Sequence, residues 1–175
     1  MKGEDKVYSA FLEKEKTKSE LKEELDTLEI QLFRMKNNIK EIAKDSEIIS
    51  IDQAGDDNWV VIYAHREKDM FQLMLHDCRK PYRGKWNSAI QAEYKDKHTL
   101  HIADIKGEEN QGYGSVLLQH LKDMAREENV QYITGDIAKR DADHFDRLEY
   151  FYEKHYFHVE IDHKEKCGEI IWNDT

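Results

Sequence analysis

The residues with the clearest chemical purpose are Gln111-Gly112-Tyr113-Gly114-Ser115. They lie between an apolar run, Leu100 to Ile105, and a segment in which Leu117, Leu118, Leu121, Met124 and Ala125 recur at helical spacing. That order reads as strand, short glycine turn, helix. Gly112 and Gly114 carry no Cβ, so a ligand can come close to their backbone. The unpaired N–H groups and dipole of a helix N-terminus then favour an anion. No Gly-Lys-Ser/Thr follows, which excludes a P-loop, and Val116 and Leu117 stand where a dinucleotide fingerprint needs its third glycine. Two other groups of reactive residues carry less. His155, His158, His163 and Cys167 have spacings suggestive of a metal site, but the first ends a predicted helix and the rest fall on strands and a turn. They are not expected to converge, and no metal is expected. Cys78 and Cys167 have no base at nucleophile spacing, which argues against covalent catalysis through sulfur.

The elements that must position the glycine turn can be read on either side of it. A first strand is expected over 47–51, ended by Ala54-Gly55-Asp56-Asp57. Trp59 to Ala64 and Met70 to Leu75 form a predicted hairpin around Arg66-Glu67-Lys68-Asp69, and Trp86 to Tyr94 with Thr99 to Ile105 a second around Lys95-Asp96-Lys97-His98. The helix after the turn ends near Glu128, and a strand follows over 130–137, weakened at its end by Gly135. Asp141 or Asp143 is placed to cap a helix running to about His155. The last two strands are Phe157 to Ile161 and Glu169 to Trp172. Arg79, Lys80, Arg83 and Lys85 surround Pro81 and read as a solvated basic loop. The fold class is α/β, an α+β mixed sheet with helices on its faces, preceded by a long N-terminal helix.

That N-terminal helix, residues 1–46, reads as a unit distinct from the domain at 47–175. Leu21, Leu25, Leu28, Leu32, Met35, Ile39 and Ile42 alternate steps of four and three, the heptad of a coiled coil. Val7 and Phe11 keep the phase upstream, where Lys14 and Lys18 interrupt it, while Ile30 and Phe33 widen the seam. Such a seam needs a cover: its own domain, a second copy in a homo-oligomer, or a partner protein. Charged residues are 37% and hydrophobic ones 39% of the 175 residues, consistent with an exposed appendage on one ordinary domain. The formal net charge is −10; residues 1–48 hold 10 basic and 12 acidic residues, so most of the acidity lies in the remainder. An acidic domain argues against nucleic acid and favours a cationic acceptor. Two cysteines, no apolar secretory core after Met1 and no membrane-length apolar run lead to the expectation of a cytoplasmic protein without membrane association.

Two motifs, in order, resemble those of the GNAT superfamily of acyl-CoA N-acyltransferases. Glu109-Asn110-Gln111-Gly112-Tyr113-Gly114 matches both glycines of the family's Arg/Gln-x-x-Gly-x-Gly/Ala turn, with Glu109 in place of the usual first residue. Phe151-Tyr152-Glu153-Lys154-His155-Tyr156-Phe157 resembles its Leu-Tyr-Glu-Lys-x-Gly-Phe, with Tyr156 in place of the glycine. The similarity spans residue 47 onward and implies a GNAT-like sheet whose strands splay on either side of the turn and its helix. It also implies acetyl-CoA as co-substrate, its pyrophosphate held by Gln111, Gly112, Tyr113, Gly114 and Ser115. The pantetheine amides would then meet the backbone around Ala103, Ile105 and Lys106. The helical pair that the family places between its first two strands has no counterpart here, and His144-Phe145-Asp146-Arg147 stands where the family commonly has an asparagine.

The implied reaction is acetyl transfer to a primary amine, on a small molecule or a peptide. The amine must lose a proton, the tetrahedral intermediate needs oxyanion stabilisation, and the departing thiolate needs a proton. By motif position Tyr152 is the candidate acid, and a core-packed aromatic is its alternative role. Asp104 and His101, on the strand leading to the turn, are candidate bases; strict alternation sends them to opposite faces, so that one at most meets the acceptor. A second reading stays open: a non-catalytic acyl-CoA-binding module recruited through its coiled coil. Glu109 favours it, because a carboxylate beside a pyrophosphate is repulsive unless it points away.

Overall fold

A computed structural model of the chain describes residues 16–56 and 58–174; Val7, Phe11 and Lys14 lie outside them. Helix α1 spans Lys18–Ile42. Its first turn is fixed by a capping box: the Thr17 hydroxyl accepts from the Glu20 N–H, and the Glu20 carboxylate accepts from the Thr17 N–H. Five strands follow, β1 (Glu47–Ala54), β2 (Asn58–Glu67), β3 (Met70–Asp77), β4 (Ser88–Tyr94) and β5 (Thr99–Gly107). Helix α2 (Tyr113–Glu127) leads to β6 (Tyr132–Ile137). A 3-10 turn (Lys139–His144), helix α3 (Phe145–Lys154), β7 (His158–Asp162) and β8 (Cys167–Asn173) complete the chain. Between β1 and β2 no helix intervenes among the described residues.

All eight strands form one sheet in the order β1-β2-β3-β4-β5-β6-β8-β7. The first five make an antiparallel meander. α2 then serves as the crossover that a parallel pair requires, and β5 and β6 run parallel. β2 and β3 are buried on both faces, which fits their continuous apolar runs. On one face Val60, Ile62, Leu73, Leu75, Ile90, Leu100 and Ile102 pack against Leu117, Leu118 and Leu121 of α2 and against α3. On the other face Val61, Tyr63, Met74 and Ala89 meet Ile42, Met35 and Ile39 of α1.

α1 therefore plays two parts. Its last turns belong to the domain: Ile42 is 1% exposed, and the Asn38 side chain donates to the Lys80 carbonyl and accepts from the Tyr82 N–H. Its earlier leucines remain in solvent.

Three local expectations are corrected. Trp86 precedes β4, which starts at Ser88. Neither Asp141 nor Asp143 caps α3; both lie in the 3-10 turn, and His144 takes the N-cap without a side-chain bond. Arg79 is not merely solvated, because it is tied to Asp77.

Candidate active site

β5 and β6 pair only over Thr99–Ile102 and Tyr132–Gly135. Beyond Ile102 and Gly135 the strands part. From Ala103 to Lys106, β5 keeps β4 on one edge and has no strand on the other, so that edge offers backbone groups to a ligand. The glycine turn stands at the end of this stretch. Gly112 is the N-cap of α2 with φ 76°, a left-handed conformation that glycine adopts without the Cβ penalty. It supplies no side-chain cap, so the amides of Tyr113, Gly114 and Ser115 at the first turn are left for solvent or an anion. At Gly114 an added Cβ would meet the Phe151 ring at 3.4 Å, an ordinary contact, so α3 lies against the start of α2 at this residue.

Tyr113 anchors the turn from below. It is 1% exposed, and its hydroxyl donates to Asp77 Oδ2 at 2.7 Å. Arg79 donates to the same oxygen through Nε (2.8 Å) and Nη2 (2.5 Å), and its backbone N–H donates to Oδ1 (2.8 Å). Burial alone would raise the Asp77 carboxyl; the bonds from Arg79 and Tyr113, with the Arg79 charge, outweigh it and hold the carboxyl below its ordinary range. Arg34 of α1 donates to the Arg79 carbonyl at 2.5 Å, so the network runs from α1 to the glycine turn. Nothing in the spacing of Asp77, Arg79 and Tyr113 along the chain announces this cluster.

α3 closes on the turn from the other side. Arg147 grips both oxygens of Glu109, Nη1 to Oε2 at 3.1 Å and Nη2 to Oε1 at 3.0 Å. The carboxylate at the departing position of the motif is thus neutralised by a fork from α3. His155 Nε2 lies 2.9 Å from Ser115 Oγ, and burial with the nearby Lys122 and Lys154 charges lowers its affinity for a proton.

Tyr152 projects from the last turn of α3 into the core, with ring centroids 5.2 Å from Phe151 and 5.6 Å from Phe157. It is buried, yet close enough to Asp104 and Asp141 to feel their charge. Burial first, then those two carboxylates, push its phenol up to about 12. The ring therefore packs in the core, as the alternative role read from the sequence has it.

The candidate bases are arranged differently from the expectation. Ala103 is an extra residue in β5: Ala92 pairs with Ile102, whereas Gln91 pairs with Asp104. This bulge resets the alternation, so Ile102 and Ile105 both join the core while His101 and Asp104 share the opposite face. Period-two counting across the bulge therefore gave the wrong faces. Asp104 lies 3.0 Å from Lys106 Nζ and 3.8 Å from Arg140. His101 Nδ1 is 2.9 Å from Thr134 Oγ1, and Nε2 is 3.4 Å from Asp136. His101, Thr134 and Asp136 line a groove of about 380 Å³ that continues over His158, Glu160 and Glu169.

The remaining reactive residues disperse. His158 pairs with Glu160, His163 meets the edge of Phe145, and His155 turns to Ser115. Among the described residues no group of His, Cys, Asp or Glu gathers in a metal-binding arrangement. Cys78 is buried, which pushes its thiol up to about 11, and Cys167 is exposed at the start of β8. No described helix is long and apolar enough to cross a membrane.

No protein-family model matches the chain. Over 164 residues, 94% of this chain and 99% of the relative, it is 47% identical to a Bacillus subtilis (strain 168) protein named "Uncharacterized protein YocC". Among solved structures, a mutant of the cAMP-binding acyltransferase from Mycobacterium smegmatis aligns with a TM-score of 0.53 at 10% identity, covering 77% of this chain and 50% of that one. A GNAT family acetyltransferase from Elizabethkingia anophelis, with acetyl-CoA bound, aligns with a TM-score of 0.48 at 13% identity, over 61% of this chain and 78% of that one. The chain belongs to the family of the B. subtilis protein YocC, and its fold is like that of the M. smegmatis acyltransferase.

Proposed function

We propose that this protein is an acetyl-CoA-dependent N-acetyltransferase acting on a primary amine by direct attack. One observation carries the reading. After Ile102 β5 parts from β6, which leaves the β5 edge from Ala103 to Lys106 unpaired ahead of the uncapped start of α2, and Tyr152 is near enough to Asp104 on that stretch to feel its charge. A diphosphate fits the amides of Tyr113, Gly114 and Ser115, and an extended amide chain fits the free edge of β5 from Ala103 to Lys106. The Glu109–Arg147 fork removes the objection that a bare carboxylate faces the diphosphate.

In the proposed step the amine nitrogen bonds to the thioester carbonyl carbon, and the carbon–sulfur bond then breaks. The amine's proton passes to His101 or Asp104, directly or through water, and the leaving thiolate takes the Tyr152 proton. A phenol whose pKa lies near 12 stays protonated at neutral pH, as a donor must.

The test is release of CoA thiol from acetyl-CoA against a panel of small amines and peptides, with acetyl-CoA affinity measured alongside. Turnover with an amine, together with loss of acetyl-CoA binding in Gly112→Val, is the expected result. A β-branched residue at a φ of 76° distorts the turn. Unchanged affinity in that variant would remove the diphosphate from the turn. Binding without turnover of any amine would leave the non-catalytic acyl-CoA-binding module as the function.

A further inference from the structure

The heptad seam of α1 divides at Met35. Met35, Ile39 and Ile42 lie against the sheet, whereas Leu21, Leu25, Leu28 and Leu32 are 53, 55, 53 and 66% exposed. An unbroken row of half-bare leucines marks an interaction surface. We propose that this row is covered by the same row of a second copy of the chain, running antiparallel about a twofold axis between Asp26 and Thr27. The proposal does not depend on the acyl-transfer reading.

The first argument is length. α1 begins at Lys18, behind the Thr17 capping box, and Met35 is the first seam residue in contact with the sheet. The open stretch, 18–35, is centred between Asp26 and Thr27. Antiparallel pairing about that centre sets Leu21 opposite Leu32 of the partner and Leu25 opposite Leu28 of the partner. All four leucines of each copy are used, and the partner's capping box falls beside the point where the first helix passes onto its own sheet. The two domains then sit at opposite ends of the helical pair.

The second argument is charge. With Leu25 and Leu32 at a and Leu21 and Leu28 at d, Lys22 and Glu29 flank the seam at e, and Glu24 and Gln31 flank it at g. In an antiparallel pair e meets e and g meets g. Lys22 then faces the partner's Glu29, twice over by symmetry, and Glu24 faces the partner's Gln31. A parallel pair instead sets Glu24 against the partner's Glu29 twice, offset only by the exposed Lys16–Glu24 pair at 2.6 Å, and leaves Lys22 beside the partner's Thr17 with no carboxylate to meet. Ile30 and Phe33, also exposed, lie at f and b, so in this pairing they stay outside the seam rather than widen it as their spacing suggested.

The experiment is sedimentation velocity on the full chain, joined to disulfide trapping in a Cys167→Ser background, where the remaining Cys78 is buried. A dimer is expected at high micromolar concentration, with Leu28→Glu/Leu32→Glu reduced to a monomer. In the antiparallel pair two copies of residue 21 stand roughly 16 Å apart along the axis, at the helical rise per residue. Leu21→Cys alone and Leu32→Cys alone should therefore not cross-link, while their mixture should. Lys22→Glu should weaken the dimer ~2- to 10-fold through loss of two exposed pairs, and Lys22→Glu/Glu29→Lys should restore it. Self-cross-linking of Leu21→Cys would overturn the proposal in favour of a parallel pair. A wild-type monomer would reserve the row for a different protein, and a dimer indifferent to the seam variants would place the contact elsewhere; either result also overturns it.

Discussion

The backbone N–H of Phe157 donates to the carbonyl oxygen of Tyr152 at 3.0 Å, while the Tyr156 N–H donates to the Glu153 carbonyl at 2.9 Å. Those two bonds, with Tyr156 at φ 65°, form a Schellman motif ending α3. The Tyr152 and Phe157 rings, 5.6 Å apart, make the apolar contact that accompanies the motif. The helix end thus fixes the side chain that the proposed reaction needs as its acid.

The position of Tyr156 is one that glycine fills more easily, since a left-handed conformation costs a residue with a Cβ about 1 kcal/mol or more. The ring is 83% exposed, and its compensating contact is with the Lys122 ammonium, 5.6 Å from its centroid. Although Lys122 is itself buried, the ring is open to solvent, so the cation–π contact is worth about 0.5–1 kcal/mol, and glycine also loosens the unfolded chain. The backbone gain should prevail by a small margin, so Tyr156→Gly should raise stability by about 0.5 kcal/mol. Urea unfolding of the two proteins checks this. A less stable glycine variant would mean that Lys122 draws more from the ring than the backbone loses.

A second prediction concerns acid. The folded state holds the Asp77 carboxyl below its ordinary range, so its contribution to stability is fully present above the unfolded pKa. That contribution is lost as pH falls through the depressed folded value. Asp77→Asn should therefore be less stable than wild type near neutrality, and it should lose less on acidification. Thermal melts between about pH 7 and pH 3 should show the two curves converging. Parallel curves would mean that the Asp77 carboxyl titrates alike in the folded and unfolded chain, and so contributes nothing to the pH dependence. Because Tyr113 donates to Asp77 from within the glycine turn, the same variant should weaken acetyl-CoA binding.

The elements around the glycine turn were legible in the sequence because they depend on local rules. A glycine pair between an apolar run and a helical pattern gives strand, turn and helix. The face of Asp104 was not legible. One extra residue at Ala103 reverses every later side chain, and nothing in Leu100 to Ile105 marks where a bulge falls. Nor could the heptad of α1 show that Met35, Ile39 and Ile42 serve the sheet while the leucines before them stay exposed, since both uses require the same apolar spacing. The Asp77 network joins residues far apart in the chain, and the Arg147 fork on Glu109 likewise depends on packing that only the folded molecule supplies.

The last prediction tests the proposed acid. Tyr152→Phe keeps the ring, its contacts with Phe151 and Phe157 and the Schellman bonds, and removes only the hydroxyl. If that hydroxyl protonates the leaving thiolate, kcat should fall by ~10²-fold or more while acetyl-CoA affinity holds, the pattern of an interaction made in the transition state alone. The pH profile adds a readout that loss of packing would not produce. An unperturbed tyrosine loses its proton near pH ~10. Burial and the Asp104 and Asp141 charges push this one up to about 12, so wild-type kcat should show no alkaline decline from Tyr152 as pH passes through ~10. A variant with wild-type kcat would transfer the proton to water or to another group at the open end of β5. A decline near pH ~10 that disappears in Tyr152→Phe would keep Tyr152 as the acid and show that bound acetyl-CoA relieves the shift.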